Sequence, residues 1–213
     1  MSANYDNSAW FYDRLSRVVY GRALVNAQVY LLQYIEPNSN ILIVGGGTGW
    51  ILEELTRVYP SALNITYVEV SAKMTALSQK RNTGGNRVTF INDAIENTIL
   101  PTDFDVVITP FLFDNFTEQT LQKAFNHIKG LLKPGGLWLN TDFQLTGKWW
   151  QNGLLKSMFL FFKVWCGIEA SKLPGIEMQF DKNGYKTIAE KAFFGDFVIS
   201  KVYRSEPCRL SEP

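Results

Sequence analysis

The stretch ILIVGGGTGW, residues 41–50, carries the densest chemical signal in the chain. Four apolar residues run into Gly45, Gly46 and Gly47, then Thr48, Gly49 and Trp50. The apolar run describes a strand buried on both faces. Glycine at four of the five positions 45–49 costs more backbone entropy than a simple turn requires. A ligand must therefore come close to the backbone there. Two carboxylates follow at telling positions. Glu69, in YVEV, lies at the end of the second expected strand, about twenty residues after the turn, where a doubly wound sheet places an acceptor for ribose hydroxyls. Asp93 closes FIND, where a carboxylate can accept from the exocyclic amine of an adenine. The three features sit at the carboxyl ends of three successive expected strands, which is where open α/β sheets bind ligands.

The spacing narrows the ligand. A nucleotide-binding P-loop needs Lys-Ser or Lys-Thr after its last glycine, and Trp50-Ile51 stands there. A dinucleotide turn reads G-x-G-x-x-G, and Trp50 occupies the third glycine position. What remains is G-x-G-x-G at Gly45, Gly47 and Gly49. That pattern suits a cofactor without phosphates, whose amino-acid part and ribose lie over the turn.

Elements must hold these residues in place. From Ser8 to about Glu36 apolar residues recur at helical spacing, broken at Gly21 and closed by Pro37 and Asn38. Short apolar runs then alternate with helical stretches. Strands are expected over 40–45, 64–70, 87–93, 104–110 and 137–143. Helices are expected over 50–59, 71–81 with Ser71 as N-cap, 117–132 with Thr117 as N-cap, and 151–168. The alternation describes a parallel, doubly wound α/β sheet. A hairpin closes the chain, 185–193 and 197–204 around Phe194-Gly195-Asp196.

Composition limits the function classes. The 213 residues suit one domain, with no internal repeat or linker. A net charge of +1 offers no basic stripe for nucleic acid. Cys166 and Cys208 fit no metal-ligand spacing and set up no disulfide framework, so no metal is expected. The start MSANYDNSAWFYDR has no signal-peptide core, and the longest apolar run, 153–167, contains Lys156 and Lys163. The expectation is a soluble, cytoplasmic protein.

With these motifs in hand, the chain resembles the class I S-adenosylmethionine-dependent methyltransferases from about Glu36 to Arg204. ILIVGGGTGWILEEL looks like the family's first motif, YVEVSAKM its second and FINDAIE its third. LLKPGGLWLN looks like the approach to the fifth strand, and NGYK with the FFGDF turn looks like the family's end. The resemblance implies a Rossmann-like seven-stranded sheet of order 3-2-1-4-5-7-6, with an antiparallel C-terminal hairpin and N-terminal helices as a lid. It implies a single methyltransferase domain over 1–213, with a helical cap at 1–38 and an acceptor-side insertion at 144–176. The cofactor implied is S-adenosylmethionine, leaving as S-adenosylhomocysteine. Gly45, Gly46, Gly47, Thr48 and Gly49 would meet its methionine part and Glu69 its ribose. Val70 and Met74 would flank the adenine, and Asp93 and Ala94 would meet its edge. Thr109 would lie near the sulfonium, and Tyr12 could close over the cofactor. One departure stands out. The family more often carries an acidic residue ahead of the glycines, and Ile43-Val44 stand there, so another group must organise the turn or binding is weakened. A non-catalytic binder of the same fold is the alternative this departure keeps open.

The acceptor is implied to be a small, apolar or aromatic molecule. TPFLF at 109–113 lacks the amide or carboxylate that would hold a nucleic-acid amine. Trp149, Trp150, Phe159 and Phe162 are the candidate pocket residues, and peripheral contact with a membrane would suit an apolar acceptor. Asp114, in FDNF, is the candidate acid or base, with Asp142 behind it. His127, the sole histidine, falls late in its helix and reads as structural.

Overall fold

The computed structural model describes residues 19–167 and 170–205. These build seven strands, β1 (Asn40–Val44), β2 (Ser61–Val68), β3 (Gly85–Ile91), β4 (Phe104–Pro110), β5 (Leu132–Phe143), β6 (Tyr185–Phe193) and β7 (Val198–Ser205). Among the described residues there are six α-helices, α1 (Ala23–Leu32), α2 (Trp50–Val58), α3 (Ala72–Ser78), α4 (Glu118–Leu131), α5 (Trp149–Cys166) and α6 (Ile176–Lys182). The sheet has the order β3-β2-β1-β4-β5-β7-β6. β1 pairs in parallel with β2 and β4, and β4 with β5, while β7 runs antiparallel to both β5 and β6. The expected topology is the observed one.

Strand alternation sorts the core onto two faces. On one face Ile41, Ile43, Ile65, Val106, Ile108 and Leu139 pack beneath α1 and α2. On the other Leu42, Val44, Val68, Val107 and Trp138 pack beneath α4 and α6. A third cluster joins Tyr20, Phe143, Phe197 and Val198 to the inner face of α5 at the carboxyl end of the sheet. Helix α1 lies flat against β7 and β6, and Ser200 Oγ donates to Ala27 O at 2.7 Å. It therefore covers the sheet face. The first helical stretch from Ser8, with Tyr12, falls outside the described residues.

Ser71 and Thr117 cap as expected, accepting from Met74 N and Thr120 N at 3.2 Å each. Three strands, β2, β3 and β5, begin earlier than expected. β2 starts at Ser61, where Ala62 at φ 76° breaks its register with β3, and β5 takes in the KPGG turn from Leu132. Helix α6 is an element the spacing does not announce. Its seven residues are too few to show a period, and it is anchored by one enclosed side chain, Phe180, stacked 3.6 Å from Tyr203.

Candidate functional site

The glycine turn leaves β1 at the carboxyl end of the sheet and enters α2 at Trp50. Gly47 has φ 62° and Gly49 has φ 77°, a left-handed backbone that L side chains resist. At Gly49 space adds a second reason, because a Cβ would sit 2.5 Å from Ser78 Cβ and 2.7 Å from its Cα. Trp50 thus opens the helix while Gly49 lets α2 and α3 approach. At Gly46 a Cβ would meet the Tyr67 hydroxyl at 2.4 Å. At Gly47 the nearest atom would be Met74 Sδ at 3.9 Å, so the turn is closed underneath and open at Gly47.

Side chains from β2 and α3 hold the Gly47 and Thr48 backbone. Tyr67, fully enclosed, donates its hydroxyl to Gly47 O at 2.9 Å. Glu69, just past the end of β2, accepts from Gly47 N–H at 3.0 Å on one oxygen and from Ser71 N–H at 2.9 Å on the other. Arg81 Nε donates to Thr48 O at 2.9 Å, and its guanidinium also reaches Thr48 Oγ1 and Glu53. Ile43, where the family usually has its acid, is core, and its register partner on β2 is Tyr67. A phenol and Glu69 therefore hold the turn that a leading carboxylate would otherwise organise. Tyr67 and Arg81 escaped the sequence reading. The signal for Tyr67 was its place two residues before Glu69, on the same strand face; Arg81 had none.

The neighbouring strand ends complete a cradle. Val70 is 43% exposed at the β2 exit, an apolar side chain left for something to cover, and Met74 is buried beside Gly47. Asn92 Nδ2 donates to Glu69 O at 2.8 Å and Val70 O at 3.0 Å, tying the β3 exit to the β2 exit. Asp93 is exposed, and its Oδ1 accepts from Ala94 N–H at 2.7 Å and from Asn97 Nδ2 at 3.0 Å, which leads the chain into a short 3-10 turn at Ile95–Asn97. Thr109 departs from expectation. It is fully enclosed, its hydroxyl donating to Asn140 Oδ1 at 2.8 Å and accepting from Trp138 Nε1 at 2.9 Å. It faces α4, because alternation along β4 turns odd positions to that side. The segment after β4 approaches the turn instead, with Leu112 Cδ1 only 2.8 Å from where a Gly45 Cβ would be.

On the β5–β7 half of the same end lies an open groove of about 700 Å³, lined by Val19, Trp149, Trp150, Leu154 and Phe194 among others. Trp149 and Trp150 meet there as expected. Phe159 and Phe162 do not, because they fall on the inner face of α5 and pack into the core cluster with Tyr20 and Phe143. Lys148 is spent on the hairpin turn, 2.8 Å from Asp196 Oδ2 and 3.1 Å from Gly195 O.

Asp114 and Asp142, each 3% exposed, feel one another's charge at this end of the sheet. Asp114 sits in the 3-10 turn Phe113–Asn115 and accepts from Asn115 Nδ2 at 2.6 Å. Asp142 accepts from Phe143 N–H at 2.9 Å on Oδ1, and among the described residues its Oδ2 has no hydrogen-bond partner. Burial, then the charge of Asp142, pushes Asp114 well above the usual carboxylate range. Burial pushes Asp142 up to about 7, against the amides of Phe143, Phe113 and Asp114, which pull it down. Burial, then the charge of Asp114, also raises the Tyr20 phenol. His127 lies late in α4 and contacts Thr98 Oγ1 at 3.4 Å, beside the 3-10 turn after β3.

Residues 41–136 match the model of a family described as a methyltransferase domain. The chain is 31% identical over 131 residues to the malonyl-acyl-carrier protein O-methyltransferase of Bacillus cereus, covering 60% of this chain and 48% of that protein. It is 32% identical over 147 residues to the ubiquinone/menaquinone biosynthesis C-methyltransferase UbiE of Wigglesworthia glossinidia brevipalpis, covering 65% and 57%. The chain thus spans about half the length of the curated relatives it matches. In fold it is similar to a putative methyltransferase of Haloferax volcanii solved with the Trm112 activator, with TM-score 0.71 at 13% identity over 97% of this chain and 99% of that one. Human N-acetylserotonin methyltransferase, solved with its cofactor, has TM-score 0.62 at 17% identity over 85% and 52%. No helix among the described residues is long and apolar enough to cross a membrane. In its glycine turn and strand order the chain is thus similar to methyltransferase domains of this fold.

Proposed function

We propose that the chain transfers the methyl group of S-adenosylmethionine to a small, apolar or aromatic acceptor by in-line displacement. The observation that carries the proposal is one of placement: the open glycine turn and an indole-lined groove share the carboxyl end of one sheet. The residues present fit the cofactor. The turn is free of side chains at Gly47, Glu69 is fixed beside it, and the exposed Val70 and buried Met74 offer apolar surfaces for a purine. When bound, S-adenosylmethionine supplies an already activated sulfonium methyl, so the protein's work is alignment and exclusion of water.

In this reading the backbone of Gly45, Gly46, Gly47, Thr48 and Gly49 carries the methionine part and Glu69 accepts from the ribose. Asp93 and Ala94 meet the adenine edge. Trp149, Trp150 and Leu154 sandwich the acceptor, and Asp114 handles its proton. The relatives named above differ in acceptor and in the atom methylated, so acceptor identity has to come from the groove rather than from kinship. The apolar groove also supports a shallow contact with a membrane when the acceptor is lipid-borne, with the protein itself working in the cytoplasm.

The test is ligand-induced stabilisation. S-adenosylmethionine and S-adenosylhomocysteine should raise the melting temperature, and NAD should not. Glu69→Ala should weaken both sulfur ligands roughly 100-fold, the cost of losing a charged acceptor that also fixes the turn. No stabilisation by either ligand would sink the proposal. Stabilisation without turnover of any acceptor would turn it toward a non-catalytic binder.

A further inference from the structure

Helix α5 has two unlike faces. Leu155, Phe159, Phe162 and Cys166 are buried and fix it to the end of the sheet. The opposite face carries Trp149 at 87% exposure, Leu160 at 65% and Val164 at 71%. With Gly153 and Ser157 these residues follow one another at spacings of three and four, so they form one strip along the helix. Trp165, half-exposed, stacks on Phe161 at 6.2 Å and borders the strip on one side. Lys156 and Lys163, both exposed, lie two turns apart and border it on the other. An aligned apolar strip of this kind marks a surface that something covers.

The groove opens on the same strip, for Trp149, Gly153 and Ser157 line it. A Cβ at Gly153 would meet nothing within 4 Å. No neighbour therefore demands glycine in mid-helix, where it weakens the helix. Its effect is to keep the lip of the groove low between Trp149 and Ser157.

Charge selects what covers the strip. Helix α5 contains no acidic residue, and among the described residues neither Lys156 nor Lys163 forms an ion pair. Asp196, beside the groove, is neutralised by Lys148 at 2.8 Å. A second copy of α5 would bring lysines against lysines in either direction, with no carboxylate between them. An acidic protein would answer the lysines, but these hold one border only. The rest is hydrocarbon and indole, which a lipid interface takes without a matching shape. The strip is too charged at its border to cross a bilayer and is built to lie in the plane of one, with tryptophans about 24 Å apart along the axis and lysine stems that reach past the hydrocarbon.

We propose that the outer face of α5 docks on an anionic lipid surface, and that the groove thereby opens into the lipid boundary and takes a bilayer-borne acceptor. The docking stands by itself, whereas the delivery of an acceptor rests on the methyl-transfer reading.

Vesicle sedimentation with the full chain tests this. The native protein should bind vesicles of phosphatidylcholine with about one-third phosphatidylglycerol, and pure phosphatidylcholine more weakly. Lys156→Gln and Lys163→Gln should each lose roughly 5-fold on the anionic vesicles and little on the neutral ones. Leu160 and Val164 lie outside the groove lining. Leu160→Glu combined with Val164→Glu should lose roughly 10-fold or more on both vesicles, with native melting temperature and S-adenosylhomocysteine affinity. Native protein that sediments with neither vesicle, lysine or glutamate variants that bind as the native protein does, or a native dimer that Leu160→Glu dissociates would overturn the inference, the last in favour of a second copy. Loss of S-adenosylhomocysteine binding by the native protein is a different failure, since it defeats the methyl-transfer reading and leaves the vesicle result in place.

Discussion

The two halves of the ligand-binding edge are built on opposite terms. Around the glycine turn the polar groups close on one another, with Glu69 and Tyr67 on the two sides of the Gly47 residue, Arg81 on Thr48 and Asn92 on the β2 exit. Around β5 and the hairpin turn a carboxylate oxygen has no partner, a second carboxylate is pushed far from its ordinary range, and two phenylalanines hold left-handed backbone. The first half is preorganised and rigid. The second stores cost. A constant ligand favours a finished cradle, whereas an acceptor that must give up a proton needs groups whose charge can change.

The contrast breaks most visibly at the glycine turn. Gly49→Ala puts a methyl against Ser78 in a left-handed backbone, a strain-plus-overpacking cost of about 3 kcal/mol. For a chain of this size the melting temperature should fall by roughly 6–12 °C. A fall under a degree or two would mean that α2 and α3 can part, and that the cradle is not rigid. In the other half the sign reverses. The Asp142 carboxyl titrates higher in the folded chain than unfolded, so native stability falls as pH rises from about 4 to about 7. Asp142→Asn removes that loss. Its melting temperature should exceed the native value by roughly 2–4 °C above pH 7, and the difference should vanish near pH 4. A pH-independent difference would show that Asp142 is not protonated in this range.

How much could be read in advance follows the same division. The glycines, Glu69 and Asp93 were legible because backbone conformation and fixed strand-end geometry restrict those positions to a few residue types. Alternation and the closing hairpin made a parallel sheet with an antiparallel end legible, while the strand order came only with the resemblance to a known family. Tyr67 was hidden because a strand tyrosine ordinarily reads as core, and its hydroxyl acts through a residue twenty positions away. Thr109 was misplaced because the end of a strand does not say which face its last side chains take. Phe159 and Phe162 were misplaced because helical spacing finds the apolar stripe of α5 without saying that the stripe faces the core, while the groove takes Trp149 and Trp150 from the helix's first turn. The pairing of Asp114 with Asp142 depends on two segments meeting at the sheet's end, which no local pattern encodes.

The smallest expected effect sets one buried tyrosine from each half against the other. Tyr67→Phe removes a 2.9 Å hydrogen bond and leaves Gly47 O, beneath the turn, without that donor. That should cost about 1 kcal/mol and weaken S-adenosylhomocysteine roughly 5-fold, because Gly47 is the residue whose amide Glu69 also holds. Among the described residues Tyr20→Phe removes only a 3.6 Å contact to Met158 Sδ. It should leave S-adenosylhomocysteine affinity within about 2-fold of native, since a weak sulfur acceptor contributes little. Isothermal titration of the two variants side by side decides the matter. Equal losses of cofactor affinity would mean that the halves are coupled through the segment after β4, where Leu112 approaches Gly45, and the division of labour drawn along this edge would not hold.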